Sequence, residues 1–520
     1  MPREIRAAGA LLLLSLPSFA GAQQEPVDVA TIERIKAEAL DRPQVMETMS
    51  WLTDVHGPRL ANSPNYRRAA EWAAAQLKSW GLVNVRFEPV TGFGRGWENT
   101  QFSMRAVAPT PFPIIAYPRA WSPGTNGPVQ GEVVHVLIDS APDFAKYRGA
   151  LAGKFVLLGA ARATPVADLT NPARLSDSAL AVLAGAEPPR PAAAGPAPTA
   201  PRPPVARISP QFIAERYAFL ASERVAGVLL PARGQEGTVF TDNGFPRGEN
   251  SPPVPPTVHV AIEHYGRLAR LVAKQLPVTI ELDMRNRFTP VDADNFNIFA
   301  EIPGTDPKLK DEIVMLGGHF DSWHAGTGAT DNAAGSATMM EAVRIIKTLG
   351  LKPKRTIRIA LWASEEQGLI GSRSFARQTF RDSANAADKP AAAKFSAYYN
   401  VDNGSGKIRG VYLQGNEGVR AIFDAWMGPF KAMGMTTITA RNTGGTDHLA
   451  FDALGLPGFQ FIQDPLQYDT RTHHSNQDVY EQVQPDDMKF NSAVVASFVW
   501  QTAQRAEKLP RKPSPVRLAQ

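Results

Sequence analysis

Apolar residues recur along this chain at two spacings, and the changeover divides it. In 27–40, Ile32, Ile35 and Ala39 fall at helical spacing. In 65–80, Ala69, Trp72, Ala73, Leu77 and Trp80 do the same, followed by Gly81, a residue suited to ending a helix. Both segments are predicted as amphipathic helices lying on a larger body. From about 102 to 290 the runs become short and β-like, at 133–138, 155–158, 225–230 and 278–282, with Pro and Gly turns between them. Within this part, 187–207 is dense in Pro and Ala and is expected to be an extended surface loop.

From residue 297 onward, strand and helix patterns alternate. Apolar strands are predicted at 313–316, 356–362 and 397–401. Between them lie a helix over 332–349, with Met339, Ala342, Val343 and Ile346 on one face, and another near Ser372. This rhythm predicts an α/β fold, a mostly parallel mixed sheet flanked by helices, with its chemistry at the carboxyl ends of the strands.

Composition narrows the picture. A chain of 520 residues is long enough for roughly two to four domains. With no cysteine it has no disulfide, thiolate metal site or cysteine nucleophile. The net charge of +5 comes from 55 basic and 50 acidic residues spread along the chain, which argues against nucleic acid as a partner. Residues 1–22 read as an export signal: Arg3 and Arg6, then the leucines 11–14, then Ala20-Gly21-Ala22. No later stretch has the roughly 20 apolar residues that span a bilayer, so a periplasmic or extracellular protein is expected.

Candidate chemistry gathers at the predicted strand ends. His319-Phe320-Asp321 follows the first strand, Glu365-Glu366 the second and Asp402 the third. Asp331 stands at a helix opening, where its carboxylate can face a metal while its backbone caps the helix, and His473-His474 lies in a polar loop. Each alone reads as a surface pair, a cap or a loop; together, in this order, they read as a metal site. Imidazole with carboxylate and no thiolate suits catalytic zinc. Five such ligands exceed one open zinc site and suit two metals about 3.5–4 Å apart sharing a carboxylate. Of two adjacent glutamates, one can bind metal while the other faces water as a base. His259 and Glu263-His264 imitate a zinc motif with one residue too many between them, and are expected to be structural.

The segments GGHFDSWHAGTGATDNAAG, LWASEEQGLIGS, NVDNGSG, GGTDHLAF and HHSNQD together resemble the co-catalytic zinc exopeptidases of metallopeptidase family 28, in particular the plasma glutamate carboxypeptidase (carboxypeptidase Q) group. The resemblance implies a secreted exopeptidase acting on small peptides or dipeptides with two Zn2+, and a homodimer. It implies that His319 and Asp402 bind one zinc, Glu366 and His474 the other, that Asp331 bridges them and that Glu365 is the general base. Asp321 would orient His319, and Asp447-His448 would support the site from behind. His324 stands where an acidic residue is expected in that group, near the substrate. The β-rich part resembles in its placement an inserted protease-associated (PA) domain. The implied organisation is a signal at 1–22, helices of the peptidase domain at 23–101, the insert at 102–290, the zinc domain at 291–510 and a tail at 511–520. The same fold also hosts glutaminyl cyclase-like acyltransferases with one zinc, and non-catalytic binding ectodomains. Neither the amino- nor the carboxy-terminal preference is legible.

Overall fold

A computed structural model describes residues 25–162, 173–187, 209–381 and 387–512. The expected signal, almost all of the Pro/Ala-rich loop and most of the tail lie outside these residues. Two eight-stranded sheets organise the chain. Strands of the first are numbered here in chain order: β1 (Val83–Pro89), β2 (Phe296–Ile302), β3 (Ile313–His319), β4 (Thr356–Trp362), β5 (Phe395–Asn400), β6 (Ile408–Tyr412), β7 (Thr437–Thr439) and β8 (Gly458–Gln463). Their spatial order is β1-β2-β4-β3-β5-β8-β6-β7. The centre, β4-β3-β5-β8, is parallel, whereas β1, β2 and β6 join antiparallel to their inner neighbours. The sheet is therefore mixed, with the expected parallel part at its middle.

Side chains alternate between two cores, as a strand buried on both faces requires. On β2 to β5, Ile298, Ala300, Val314, Leu316, Ile357, Ile359, Ala397 and Tyr399 face one core. Their neighbours Phe299, Met315, Ala360, Trp362 and Tyr398 face the other. Helices Val29–Asp41, Pro64–Ser79, Ala334–Thr348 and Pro485–Gln504 cover the first face, and Ile370–Phe380 the second. The first two of these helices match the two N-terminal periodic segments. Ser63 caps Pro64–Ser79 through its hydroxyl, which accepts from the Tyr66 amide.

The third helix begins later than its periodicity suggests. Asp331 and Asn332 have non-helical backbones, and the regular helix starts at Ala334. The Asn332 side chain, rather than the Asp331 backbone, supplies the cap: its Oδ1 accepts from the Gly335 amide at 2.9 Å while its Nδ2 donates to the Val401 carbonyl at 2.9 Å. Gly335 permits this approach, since a Cβ there would sit 2.1 Å from the Val401 carbonyl oxygen.

The second sheet is built from residues between Arg95 and Val291. Two long antiparallel strands, Arg95–Ala108 and Thr279–Val291, lead into and out of it. Phe155–Leu158 is flanked in parallel by Val129–Val136 and Gly227–Pro231. The change of texture at 102 thus falls inside a strand that begins at Arg95. His259 is buried on strand Thr257–Val260, Glu263 accepts the Glu236 amide and His264 accepts the Ile115 amide, so this apparent motif is spent on structure.

Candidate metal centre

Parallel strands end side by side, and here their ends carry the polar residues. His319 is the last residue of β3, Glu365 and Glu366 follow β4, and Asp402 follows β5. Asp331 lies in the wide turn Ala329–Ala333, and His474 in the segment after β8. The six side chains converge. His319 Nε2 lies 3.1 Å from Asp331 Oδ1 and 3.3 Å from Asp402 Oδ1. His474 Nε2 lies 3.1 Å from Asp331 Oδ2 and 2.8 Å from Glu366 Oε2. His473 is more exposed, 3.7 Å from Asp331 Oδ2, with its ring against His474 and Tyr468.

Buried contacts aim these groups. The His319 Nδ1–H donates to the backbone carbonyl of Asp321 at 2.9 Å, which turns Nε2 towards the carboxylates. The Asp321 carboxylate, expected to orient His319, stands 3.8 Å from Nδ1. It accepts instead from the backbone amides of Glu365 (3.1 Å) and Glu366 (3.3 Å), because the short His-Phe-Asp turn offers its carbonyl to the ring. The Asp478 carboxylate accepts from the Thr330 hydroxyl at 2.8 Å and from its amide, holding the turn that bears Asp331. Arg59, fully buried, donates to the carbonyls of Leu52, Phe320, Thr327 and Gly328 and ties that turn to the end of β3. Neither Arg59 nor Tyr468 was singled out by the sequence: each sits in a polar or Gly/Pro-rich stretch with no periodicity to mark it.

The carboxylates open onto a cleft of about 510 Å³, lined by Asp331, Glu365, Glu366, Asp402, Tyr468, His473 and His474 among others. Crowding in a poorly solvated site shifts their protonation. Burial pushes Glu366 to about 7 and holds Glu365 well above the usual carboxylate range. Burial would lower His474, but Glu366 and Asp331 carry it to about 11; His319 is likewise raised, against burial, chiefly by Asp402 and Glu365.

Residues expected around the ligands are distributed differently. His324 does not line this cleft. Its Nε2 bonds the Pro118 carbonyl at 2.8 Å, its ring meets Trp97 edge-on, and it lines a separate pocket with Arg68 and Glu98. Pro118 draws it there, and burial lowers it to about 4. Asp447 is fully buried and pushed by burial to about 7. His448 is buried beside Gln414 and the Thr443 carbonyl, and burial lowers it to about 4.

A metal fits this set. Glu366 Oε1 is buried without a hydrogen-bond partner, and Asp331 Oδ2, though 3.1 Å from His474 Nε2, makes no well-directed hydrogen bond. Ligand atoms lie within 4.8 Å of one another in three groups: Asp331, His473 and His474; His319, Glu365 and Asp402; His319, Asp331 and Glu366. Imidazole and carboxylate donors on an acidic cleft suit zinc.

Residues 297–499 match the family described as Peptidase family M28. The chain is 28% identical over 466 residues to carboxypeptidase Q of Bos taurus, covering 89% of this chain and 86% of the relative. The fold is similar to a crystal structure of a peptidase M28 precursor from Shewanella amazonensis SB2B (TM-score 0.64, 24% identity, 93% of this chain and 99% of that one). It is also similar to a zinc aminopeptidase from Bacillus subtilis (TM-score 0.53, 16% identity, 89% and 95%).

Proposed function

We propose that this chain, which belongs to Peptidase family M28 through residues 297–499 and is a zinc metallo-exopeptidase, is exported and hydrolyses terminal peptide bonds or dipeptides with two zinc ions and Glu365 as general base. His319 and Asp402 would hold one zinc, Glu366 and His474 the second, and Asp331 would be shared between them. The observation that carries this reading is the arrangement about Asp331. Its two oxygens each face a different histidine at 3.1 Å, and each histidine has a second carboxylate of its own, Asp402 or Glu366.

Zinc bound there supplies Lewis acidity, lowering the pKa of water towards about 7 and polarising a carbonyl. The protein's own groups do the rest. Glu365 is buried at the cleft wall, with its amide fixed by Asp321, so its carboxylate accepts the proton of the attacking water and returns it to the leaving amine. The Asp321 carbonyl keeps the proton of His319 on Nδ1, leaving Nε2 free as a ligand. Among the described residues no helix is long and apolar enough to cross a membrane, and the export reading rests on the pattern of residues 1–22.

One dipeptide assayed free, N-acetylated and C-amidated, with zinc and with chelator, tests the proposal. Cleavage of the free and amidated forms identifies an aminopeptidase, of the free and acetylated forms a carboxypeptidase, and of the free form alone a dipeptidase. Zinc-independent cleavage, or none, overturns the reading.

A further inference from the structure

The metal cleft does not end at its acidic wall. A groove of about 400 Å³ adjoins it, lined by Gly368, Ile370, Arg373, Ser374, Arg377 and Gln378, with Gly368 and Arg373 common to both. The cleft side is lined by Asp331, Glu365, Glu366, Asp402 and Asp469, whereas the groove has no acidic residue. Passing from one to the other, the sign of the local charge reverses.

Both arginines lie on helix Ile370–Phe380, one turn apart and exposed. Arg373 Nη1 donates to the Gly368 carbonyl at 3.1 Å, which turns the guanidinium back along its helix to the mouth of the cleft. One bond to a carbonyl leaves most of the guanidinium's five N–H groups open, in the fork geometry that suits a carboxylate. Neither Arg373 nor Arg377 forms an ion pair with another described residue, while Arg344, Arg355, Arg358 and Arg409 of the same body all do. An α-helical turn advances about 5.4 Å and an extended residue about 3.3–3.6 Å. Arg373 lines both the cleft and the groove and Arg377 the groove alone, so a peptide running from the cleft into the groove passes Arg373 before Arg377.

We propose that Arg373 and Arg377 form a carboxylate-binding subsite, so that the substrates preferred by this enzyme are short peptides bearing a carboxylate one or two residues from the scissile bond. The inference rests on the peptidase reading above. The carboxylate is either the free C-terminus or an acidic side chain, and the same arginine chemistry would bind both.

The test compares Ala-Ala with Ala-Ala amide, and Ala-Glu amide with Ala-Gln amide, in the zinc-loaded wild type and in Arg373→Gln, Arg377→Gln and the double variant. A preference within the first pair identifies the C-terminus and a preference within the second the side chain; either supports the subsite. The variants are expected to raise KM for the preferred peptide roughly tenfold or more, with kcat and the turnover of its uncharged counterpart nearly unchanged. Arg373→Lys should recover part of the loss. Equal use of both members of each pair by the wild type, or an unchanged preference in the double variant, overturns the proposal. Calorimetric binding of the same peptides to Glu365→Gln, with and without the arginine substitutions, reads the subsite without turnover. Absence of wild-type hydrolysis thus refutes the peptidase reading, and equal binding of charged and uncharged peptides refutes the subsite.

Discussion

The backbone amide of Thr241, between strands Gly227–Pro231 and Thr257–Val260 of the second sheet, donates to the carbonyl of His474 at 2.8 Å. His474 has φ +61, in the left-handed region that non-glycine residues seldom occupy. Around it, the Asn476 side chain accepts from the Val239 amide at 2.7 Å and donates to the Gly237 carbonyl at 3.2 Å. The other end of the same segment is held as well: the Leu466 amide donates to Ala173 at 3.0 Å, and Asp464 receives Leu175 and Arg174. Residues 237–241 thus grip the C-terminal end of the His474 segment, and residues 173–175 hold its other end.

Asn476→Ala removes the side-chain half of that grip, and the loss of these two half-buried hydrogen bonds costs about 1–3 kcal/mol. The variant should fold, yet under mild chelation it should lose zinc from the His474 side first, falling towards one zinc per chain. Zinc retention equal to the wild type would show that the grip has no bearing on the site.

Glu365→Gln keeps the shape of the side chain and removes its basicity. Metal content should remain at the wild-type value while kcat falls about 10²–10⁴-fold, the usual contribution of a general base. Full turnover would exclude Glu365 from that role.

Asp331→Ala removes both oxygens that face the histidines. Metal analysis after gel filtration should find both zincs depleted, and two retained per chain would contradict a shared ligand.

Zinc loading should release protons. In the metal-free protein, burial opposes the charged form of His474, but Glu366 and Asp331 overcome it and raise the imidazole to about 11; His319 is raised too. Both are therefore protonated at pH 7, and both must be neutral to bind zinc, so affinity rises with pH. Calorimetry in buffers of different ionisation enthalpy measures this. A buffer-independent heat would count against histidine ligation.

Away from the site, Arg344 joins the N-terminal helix to the body. It donates to Glu341 at 2.7 and 2.8 Å and to Glu38 at 2.9 Å, all three side chains being nearly inaccessible. Arg344→Ala leaves the buried Glu341 without a cation and Glu38 with Arg42 alone, and should cost about 3–5 kcal/mol in urea unfolding. A change below about 1 kcal/mol, the usual value of an exposed pair, would show that water reaches them.

The centre of the fold was legible because β3, β4 and β5 are largely buried on both faces and read as mainly apolar runs, interrupted by Arg358 in β4 and by Ser396 and Asn400 in β5. Their polar successors His319, Glu365, Glu366 and Asp402 stood out against them. Contacts set by turns or by distant chain were not legible. Whether Asp321 offers His319 its carbonyl or its carboxylate depends on one turn's geometry. The placement of His324 depends on Pro118, and the pose of His474 on residues 237–241. The start of the third helix was misplaced because Asn332 carries a good cap side chain yet lies outside the helix it caps.

The most direct test of the two-zinc account is a titration of metal-depleted protein with zinc while hydrolysis of a free dipeptide is followed. Two cooperating zinc ions require no turnover without metal, a maximum at two zinc per chain, and loss of activity on chelation. Full activity without metal, or a maximum at one zinc, would contradict it.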